Sequence, residues 1–138
     1  MPPPAGGSRT TRSGRRASRR TANAVPLLAD EGGPPLLIDC LTLWLAHAME
    51  EAGCWDEARP AGEADEAVAG HTAALVAAVL ATRRTVVAVS NETGSGIVPP
   101  TAAGRRFRDE LGRLNAAVAA ECEHVLLMVA GTALPLRG

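Results

Sequence analysis

Lysine and tyrosine are both missing from this chain of 138 residues, and aromatic side chains make up only 2% of it. All 14 basic side chains are therefore arginines. The absence of lysine excludes any site that depends on a lysine ammonium group. Because hydrophobic residues still make up 46% of the chain, we expect a folded core built from leucine, valine, isoleucine and alanine.

Cysteine and histidine are scarce, with three of each. The cysteines are odd in number and form no CxxC pair, which argues against a disulfide framework or a zinc site and favours a reducing cytoplasm. The histidines have no metal-ligand spacing, so we expect structural or surface positions for them. These six residues are Cys40, Cys54, Cys122, His47, His71 and His124.

Long apolar runs are also missing. No stretch of about 20 apolar residues stands out, so we expect no membrane span. The basic N-terminus is not followed by an apolar run, which excludes a secretory or twin-arginine signal. The sequence therefore predicts a cytoplasmic protein.

The charge is distributed unevenly, although the net charge is only -1. Residues 1–24 hold six arginines and no acid, with many prolines, glycines and serines, whereas the rest of the chain is acidic. We expect 1–24 to be a disordered arm, since it cannot bury enough apolar surface to offset the cost of ordering, and 25–138 to be one α/β domain. Such an arm can contact nucleic acid, but the acidic domain and scarce aromatics argue against that partner.

After residue 24, short apolar segments alternate along the chain with amphipathic ones. The pattern predicts strands over 34–39, 85–90 and 125–130, and helices over 41–51, 65–82 and 101–122. Near-continuous apolar strands are typical of parallel sheets, so we expect an α/β fold with a parallel sheet and helices on both faces. Ligands of such sheets bind beyond the carboxyl ends of the strands.

Asp39 ends the first predicted strand. A carboxylate at the end of an apolar strand is the Walker B arrangement, which holds Mg²⁺ directly or through water beside nucleotide phosphates. The same side chain could instead cap the helix that follows. The pattern alone leaves both interpretations open.

The second predicted strand is followed by another candidate site. Glu92, next to Asn91, would lie near Asp39 if the two strands are neighbours, and two carboxylates could then share a metal or orient a nucleophile. Gly94 and Gly96 permit positive φ and a close approach of the backbone to a ligand. An ordinary connecting loop is the alternative.

Three arginines, at positions 105, 106 and 108, begin the third predicted helix. Arginine side chains at that end of a helix can pair with phosphate. A solvated helix face is the alternative interpretation.

Three blocks of sequence together resemble the bifunctional adenosylcobinamide kinase / adenosylcobinamide-phosphate guanylyltransferase family of cobalamin biosynthesis. The blocks are residues 39–45, 89–99 and 105–115, and the C-terminal segments 129–131 and 134–136 are similar as well. Their order and spacing agree with the family, and the resemblance covers residues 34–137.

This resemblance implies a P-loop nucleotide-hydrolase-like fold and two reactions. They are phosphorylation of adenosylcobinamide by ATP or GTP, and transfer of GMP from GTP to the resulting phosphate. It also implies Mg²⁺, a covalent GMP-histidine intermediate and a homo-oligomer, a trimer in the family. By position, Asp39 corresponds to the acid that contacts nucleotide and Mg²⁺, and Asn91 and Glu92, followed by Gly94, correspond to the second active-site loop.

The sequence departs from the family near its N-terminus. Family members begin with a strand and a Gly-Gly-x-x-Ser-Gly-Lys-Ser loop whose backbone amides and lysine hold phosphates. This chain offers only Gly6-Gly7 and Arg12-Ser13-Gly14-Arg15, without an apolar strand before them, and no histidine precedes His47.

We therefore expect a partial sheet that lacks the P-loop strand and has exposed strand edges. We assign no residue of this chain as catalytic and expect little or no activity from the chain alone. The alternative function is a catalytically inactive remnant that acts at most as a binding partner.

Overall fold

A computed structural model describes residues 23–56 and 61–138 of the chain. Most of the expected N-terminal arm, residues 1–22, lies outside the described residues. In chain order the elements are α1 (Val25–Ala29), β1 (Leu36–Asp39), α2 (Leu41–Glu51), α3 (Ala61–Ala81), β2 (Val86–Val89), α4 (Ala102–Glu121), β3 (Val125–Val129) and β4 (Thr132–Arg137). The three strands and three helices expected from the sequence are all present, whereas α1 and β4 were not predicted.

Helices α2, α3 and α4 pack around one apolar core, to which α1 adds a single fully buried leucine. Leucine supplies most of the core because the chain has so few aromatic side chains. The largest fully buried side chains are Leu28, Leu45, Met49, Val68, Leu75, Leu111 and Leu114.

Strands β1 and β2 form a two-stranded parallel sheet, in which Leu36 lies opposite Val86 and Asp39 lies opposite Val89. This confirms an α/β fold with parallel pairing. Leu36, Ile38 and Val86 pack against the helical core. The other face of the sheet carries exposed apolar side chains, so within the described residues the expected helices cover one face and not both.

Strand β3 does not join the parallel sheet, and the expectation of three parallel strands is wrong on this point. It pairs antiparallel with β4, with Val129 opposite Thr132. Ala130 and Gly131 between them have φ of 49° and 77°. Positive φ at both residues of a two-residue loop is the type I′ turn, whose twist matches that of a β-hairpin. An Ala-Gly pair is a weaker hairpin signal than Asn-Gly, which explains why the sequence predicted only a tail here.

Arg84 fixes the segment before β1 to the start of β2. Its guanidinium donates from Nη1 to the backbone oxygen of Leu27 at 2.6 Å and from Nε to that of Pro34 at 2.9 Å, with a further bond from Nη2 to Pro34. A Cβ on Gly33 would lie only 2.5 to 2.7 Å from the guanidinium atoms. Glycine at position 33 therefore lets the chain pass close to Arg84.

Helix α3 is long and apolar enough over Gly62–Ala81 to cross a membrane, judged by length and composition alone. By that measure the expectation that no such stretch exists is wrong. The core helix of a soluble protein passes the same test. Ala64, Val68 and Leu75 of α3 lie buried in the core shared with the other helices, and 17% of the apolar window is buried.

Candidate functional site

The carboxyl ends of β1 and β2 lie side by side, because Asp39 is paired with Val89 in the parallel register. The residues that follow the two strands therefore meet at one edge of the sheet. We call this edge the strand-end site and define it by Asp39, Thr42, Asn91 and Glu92. It is the position at which open parallel sheets bind their ligands.

Asp39 is exposed at this edge. The N-cap residue of α2 is Cys40, so the interpretation of Asp39 as the helix cap is wrong. Within the part of the chain that the structure describes, no hydrogen bond or ion pair engages the Asp39 carboxylate. The carboxylate is available to a ligand from solvent.

Thr42, in the first turn of α2, links the two strand ends. Its Oγ1 accepts a hydrogen bond from the backbone N–H of Asn91 at 3.2 Å and a second from Asn91 Nδ2 at 3.0 Å. Both bonds join residues 49 positions apart in the sequence. The first residue of the loop after β2 is thus attached to the helix that follows Asp39.

Asn115, on α4, holds the same loop from the other side. Its Nδ2 donates to the backbone oxygen of Asn91 at 3.1 Å and to Glu92 Oε1 at 3.0 Å, and its Oδ1 accepts from Ser90 Oγ at 2.6 Å. The Glu92 carboxylate is exposed but is oriented by this amide. The structure therefore brings Asn91 and Glu92 to the edge where Asp39 ends β1, as the sequence predicted if the strands were neighbours.

The two glycines of the loop do not adopt the conformation that the sequence suggested. Positive φ among the described glycines occurs at Gly53, Gly131 and Gly138, and not at Gly94 or Gly96. A Cβ on Gly94 would meet nothing within 4 Å. Open space at Gly94 is compatible with close approach of a ligand, but backbone strain is not the reason for glycine there.

The three arginines at the start of α4 contact the protein itself. Arg108 donates from Nη2 to the backbone oxygen of Gly94, and Arg105 donates from Nη1 to that of Pro100 at 2.8 Å. Arg106 Nε pairs with Asp65 Oδ1 at 3.0 Å. Arg105 and Arg108 thus hold the loop after β2 against α4 through backbone oxygens. Pairing of these arginines with phosphate stays a prediction.

The strand-end site offers oxygen ligands of the kind that Mg²⁺ prefers. Among the residues that the structure describes, no group of three or more His, Cys, Asp or Glu side chains is arranged to hold a metal ion. Mg²⁺ bound with a nucleotide needs only one or two carboxylates, because phosphate oxygens and water complete its octahedral shell. Asp39 and Glu92, at the same edge of the sheet, fit that mode of binding and do not fit a metal cage made of protein ligands alone.

A surface cavity of about 360 Å³, away from the strand-end site, has a wholly charged lining that includes residues of both α3 and α4. Its lining residues are Asp65, Arg106, Asp109, Glu110 and Arg113. Its two arginines are already ion-paired, Arg106 with Asp65 and Arg113 with Glu110. The cavity therefore presents no unpaired arginine to an anion.

Sequence reasoning found Asp39, Asn91 and Glu92 but missed the contacts made by Thr42 and Asn115. Both residues stand in blocks that carry the family resemblance, yet neither has a local pattern that indicates its contact. Their partners lie 49 and 24 positions away in the chain, and only the tertiary fold brings them together.

The sequence profile described as cobinamide kinase / cobinamide phosphate guanyltransferase matches residues 12–136. The match contains every residue of the strand-end site. It begins before residue 34, where the visible resemblance starts, and so includes part of the expected arm.

Curated relatives give the same result. The chain is 41% identical over 108 residues to the bifunctional adenosylcobalamin biosynthesis protein CobP of Pseudomonas aeruginosa, which is 78% of this chain and 56% of that protein. It is 32% and 31% identical to the bifunctional adenosylcobalamin biosynthesis proteins CobU of Salmonella typhimurium and Escherichia coli, over 74% of this chain and 58% of each. The chain thus spans a little over half the length of these relatives. With a profile match over 12–136, it belongs to the cobinamide kinase / cobinamide phosphate guanyltransferase family.

Proposed function

We propose that the strand-end site binds a magnesium–nucleotide complex for two reactions of cobalamin biosynthesis. These are phosphorylation of adenosylcobinamide by ATP or GTP, and transfer of GMP from GTP to adenosylcobinamide phosphate. The observation that supports this is the exposed Asp39 carboxylate beside the tethered Asn91 and Glu92 at the carboxyl edge of a parallel sheet, in a chain of this family.

Each residue of the site has a role that its chemistry supports. Asp39 would hold Mg²⁺ directly or through a water molecule, and the ion would neutralise phosphate charge. Glu92, kept in one orientation by Asn115, would accept a hydrogen bond from the nucleotide or from a water ligand of the ion. Gly94 leaves room for the ligand next to the loop.

We further propose that this chain alone turns over little or no substrate. The sequence contains no lysine to hold the phosphates, and the wider, planar guanidinium of Arg15 is not equivalent to an ammonium group. By the family resemblance the guanylylated histidine lies before the Asp39 block, and no histidine precedes His47 in this chain. The chain would therefore supply nucleotide binding without the group-transfer machinery.

A second candidate function is association with another polypeptide as a catalytically inactive remnant. The exposed apolar side chains of both sheets favour this candidate, because a covering partner would bury them. These side chains are Leu37, Val87, Val89, Leu126, Met128, Leu134 and Leu136. A cytoplasmic homo-oligomer, trimeric as in the family, is one arrangement that would cover them.

The test combines binding and turnover. We expect calorimetry to detect binding of GTP to the purified chain only when Mg²⁺ is present, and to detect none in Asp39→Asn. In a reaction with adenosylcobinamide, Mg²⁺ and GTP or ATP, we expect mass spectrometry to detect no phosphorylated or GDP-linked cobinamide, while the Pseudomonas aeruginosa relative forms product under the same conditions.

One result would contradict the proposed nucleotide site, and a different result would contradict the proposed lack of activity. Absence of GTP binding at millimolar nucleotide would exclude the strand-end site as a nucleotide site. Product formation that Asp39→Asn abolishes would show that the phosphates are held without a lysine.

A further inference from the structure

We infer that Asn115 is a positioning residue for the strand-end site. Its carboxamide fixes the loop after β2 and the Glu92 carboxylate, so that nucleotide affinity depends on a side chain of α4 that need not touch the nucleotide. The inference rests on the proposed function and assigns a role to a residue that the sequence pattern did not single out.

The carboxamide of Asn115 contacts three successive residues of the loop. Its Nδ2 reaches the backbone oxygen of Asn91 and Glu92 Oε1, and its Oδ1 receives the hydroxyl of Ser90. An asparagine amide has two N–H donors and an acceptor oxygen, and here both functions are used. One planar group therefore fixes the course of the backbone and the direction of the carboxylate together.

Asn115 itself is held by a rigid element. Leu114 beside it and Leu111 one turn earlier have no exposed surface, and Val118 is also buried in the helical core. Sites supported by helices are more accurately placed than sites supported by loops alone. Core packing of α4 therefore sets the position of Asn115, and the hydrogen bonds of Asn115 in turn hold the exposed loop.

The other contacts of the loop cannot replace this one. Thr42 accepts bonds from Asn91, and Arg108 donates to the backbone oxygen of Gly94. Within residues 23–56 and 61–138, Asn115 is the residue that bonds to the Glu92 carboxylate. Removing its amide would free the Glu92 carboxylate to rotate and would also leave the Asn91 backbone oxygen without this donor, so the loop would be held less tightly by Thr42 and Arg108 alone.

The contacts at position 115 require a side chain of asparagine's length that carries both a hydrogen-bond donor and an acceptor. Aspartate keeps the shape and the acceptor for Ser90, but it has no donor and places a second carboxylate next to Glu92. Alanine removes all three bonds. We therefore expect Asn115→Asp to impair nucleotide binding at least as strongly as Asn115→Ala, which a role in packing alone would not produce.

The experiment uses the full chain with Mg²⁺ and GTP as the probe. We expect Asn115→Ala to weaken binding about tenfold, the size expected for losing a hydrogen bond to a charged group. Glu121→Gln, an exposed change on the same helix, is the control and should bind like the wild type. In parallel, ¹⁵N relaxation should show lower order parameters for residues 91–96 in Asn115→Ala and unchanged ones in Glu121→Gln.

A double-mutant cycle separates positioning from a general structural effect. If Asn115 acts through the Glu92 carboxylate, the loss of affinity caused by Asn115→Ala is smaller in a Glu92→Ala background. Equal losses in both backgrounds would overturn the inference. Unchanged affinity or unchanged order in Asn115→Ala would overturn it as well.

Failure of the proposed function can be distinguished from failure of the inference about Asn115. If the wild-type chain does not bind Mg²⁺ and GTP, the nucleotide site is wrong, and the inference about Asn115 fails with it. If the wild type binds and Asn115→Ala binds equally well, the site stands and only the inference about Asn115 is refuted.

Discussion

Removal of the Arg84 guanidinium should destabilise the fold at the point where the N-terminal segment joins the sheet. Arg84 donates to the backbone oxygens of Leu27 and Pro34, and so connects α1 and the entry to β1 with the start of β2. Arg83, its neighbour in sequence, is exposed. The pair therefore offers a matched comparison in which only one arginine makes the connection.

The size of the effect follows from the bonds that are lost. A hydrogen bond from a charged donor contributes about 1.5–3 kcal/mol to stability. Arg84 makes three such bonds, but two of them share one carbonyl oxygen and the site is only half-buried, so water replaces part of the loss. We expect Arg84→Ala to lower the free energy of unfolding by about 2–3 kcal/mol, near the upper end of common point-mutant effects.

Urea denaturation of Arg84→Ala, Arg83→Ala and the wild type measures this difference. The midpoint should fall in Arg84→Ala with little change in the denaturant slope, because the native fold is retained. Arg83→Ala should lie within about 0.5 kcal/mol of the wild type, as expected for a surface substitution. Equal unfolding free energies for the two variants would refute the argument that the guanidinium bonds stabilise this junction.

Two further predictions concern the core and the hairpin. Leu114→Ala should cost about 2–5 kcal/mol in the same urea assay, because a fully buried leucine leaves a cavity between the helices; a loss below 1 kcal/mol would contradict the packing. Ala130→Asn should stabilise the β3–β4 hairpin by about 0.5–1 kcal/mol, since asparagine tolerates positive φ better than alanine. Hydrogen exchange of the β3 amides would measure the second effect, and faster exchange would refute it.

Local periodicity predicted the positions of the three helices and of three strands well. Helix α2 was expected over 41–51 and is found at Leu41–Glu51, because an apolar stripe at helical spacing is also the stripe that the core buries. Its buried residues include Leu41, Leu45 and Ala48, which lie on one face at helical spacing. Side-chain spacing is a local property, so the sequence reveals it directly.

Strand pairing could not be predicted in the same way. The apolar run at 125–129 indicates a strand, but it carries no information about which strand lies beside it. The antiparallel partner depends on the positive φ of Ala130, a conformation that alanine rarely adopts. The turn is therefore a departure from local preference, and such departures are where sequence reasoning fails.

For the candidate site as well, local sequence features predicted some parts and the tertiary fold was needed for others. Asp39, Asn91 and Glu92 could be proposed from the sequence because Asp39 ends one strand and the other two follow the next, and the ends of parallel strands lie at one edge of a sheet. The contacts made by Thr42 and Asn115 depend on how α2 and α4 pack, which no local pattern encodes. Sequence thus located the chemical groups, whereas structure was needed to find what holds them in place.

Because the site lies outside the core, the effect of a substitution on nucleotide affinity can be separated from its effect on stability. Asp39, Asn91 and Glu92 are exposed, whereas the buried side chains come mostly from the helices. Surface substitutions away from caps and buried networks usually change stability by no more than about 0.5 kcal/mol. Asp39→Asn should therefore leave the unfolding transition nearly unchanged, and any loss of nucleotide affinity in that variant can be attributed to the carboxylate and not to loss of the fold.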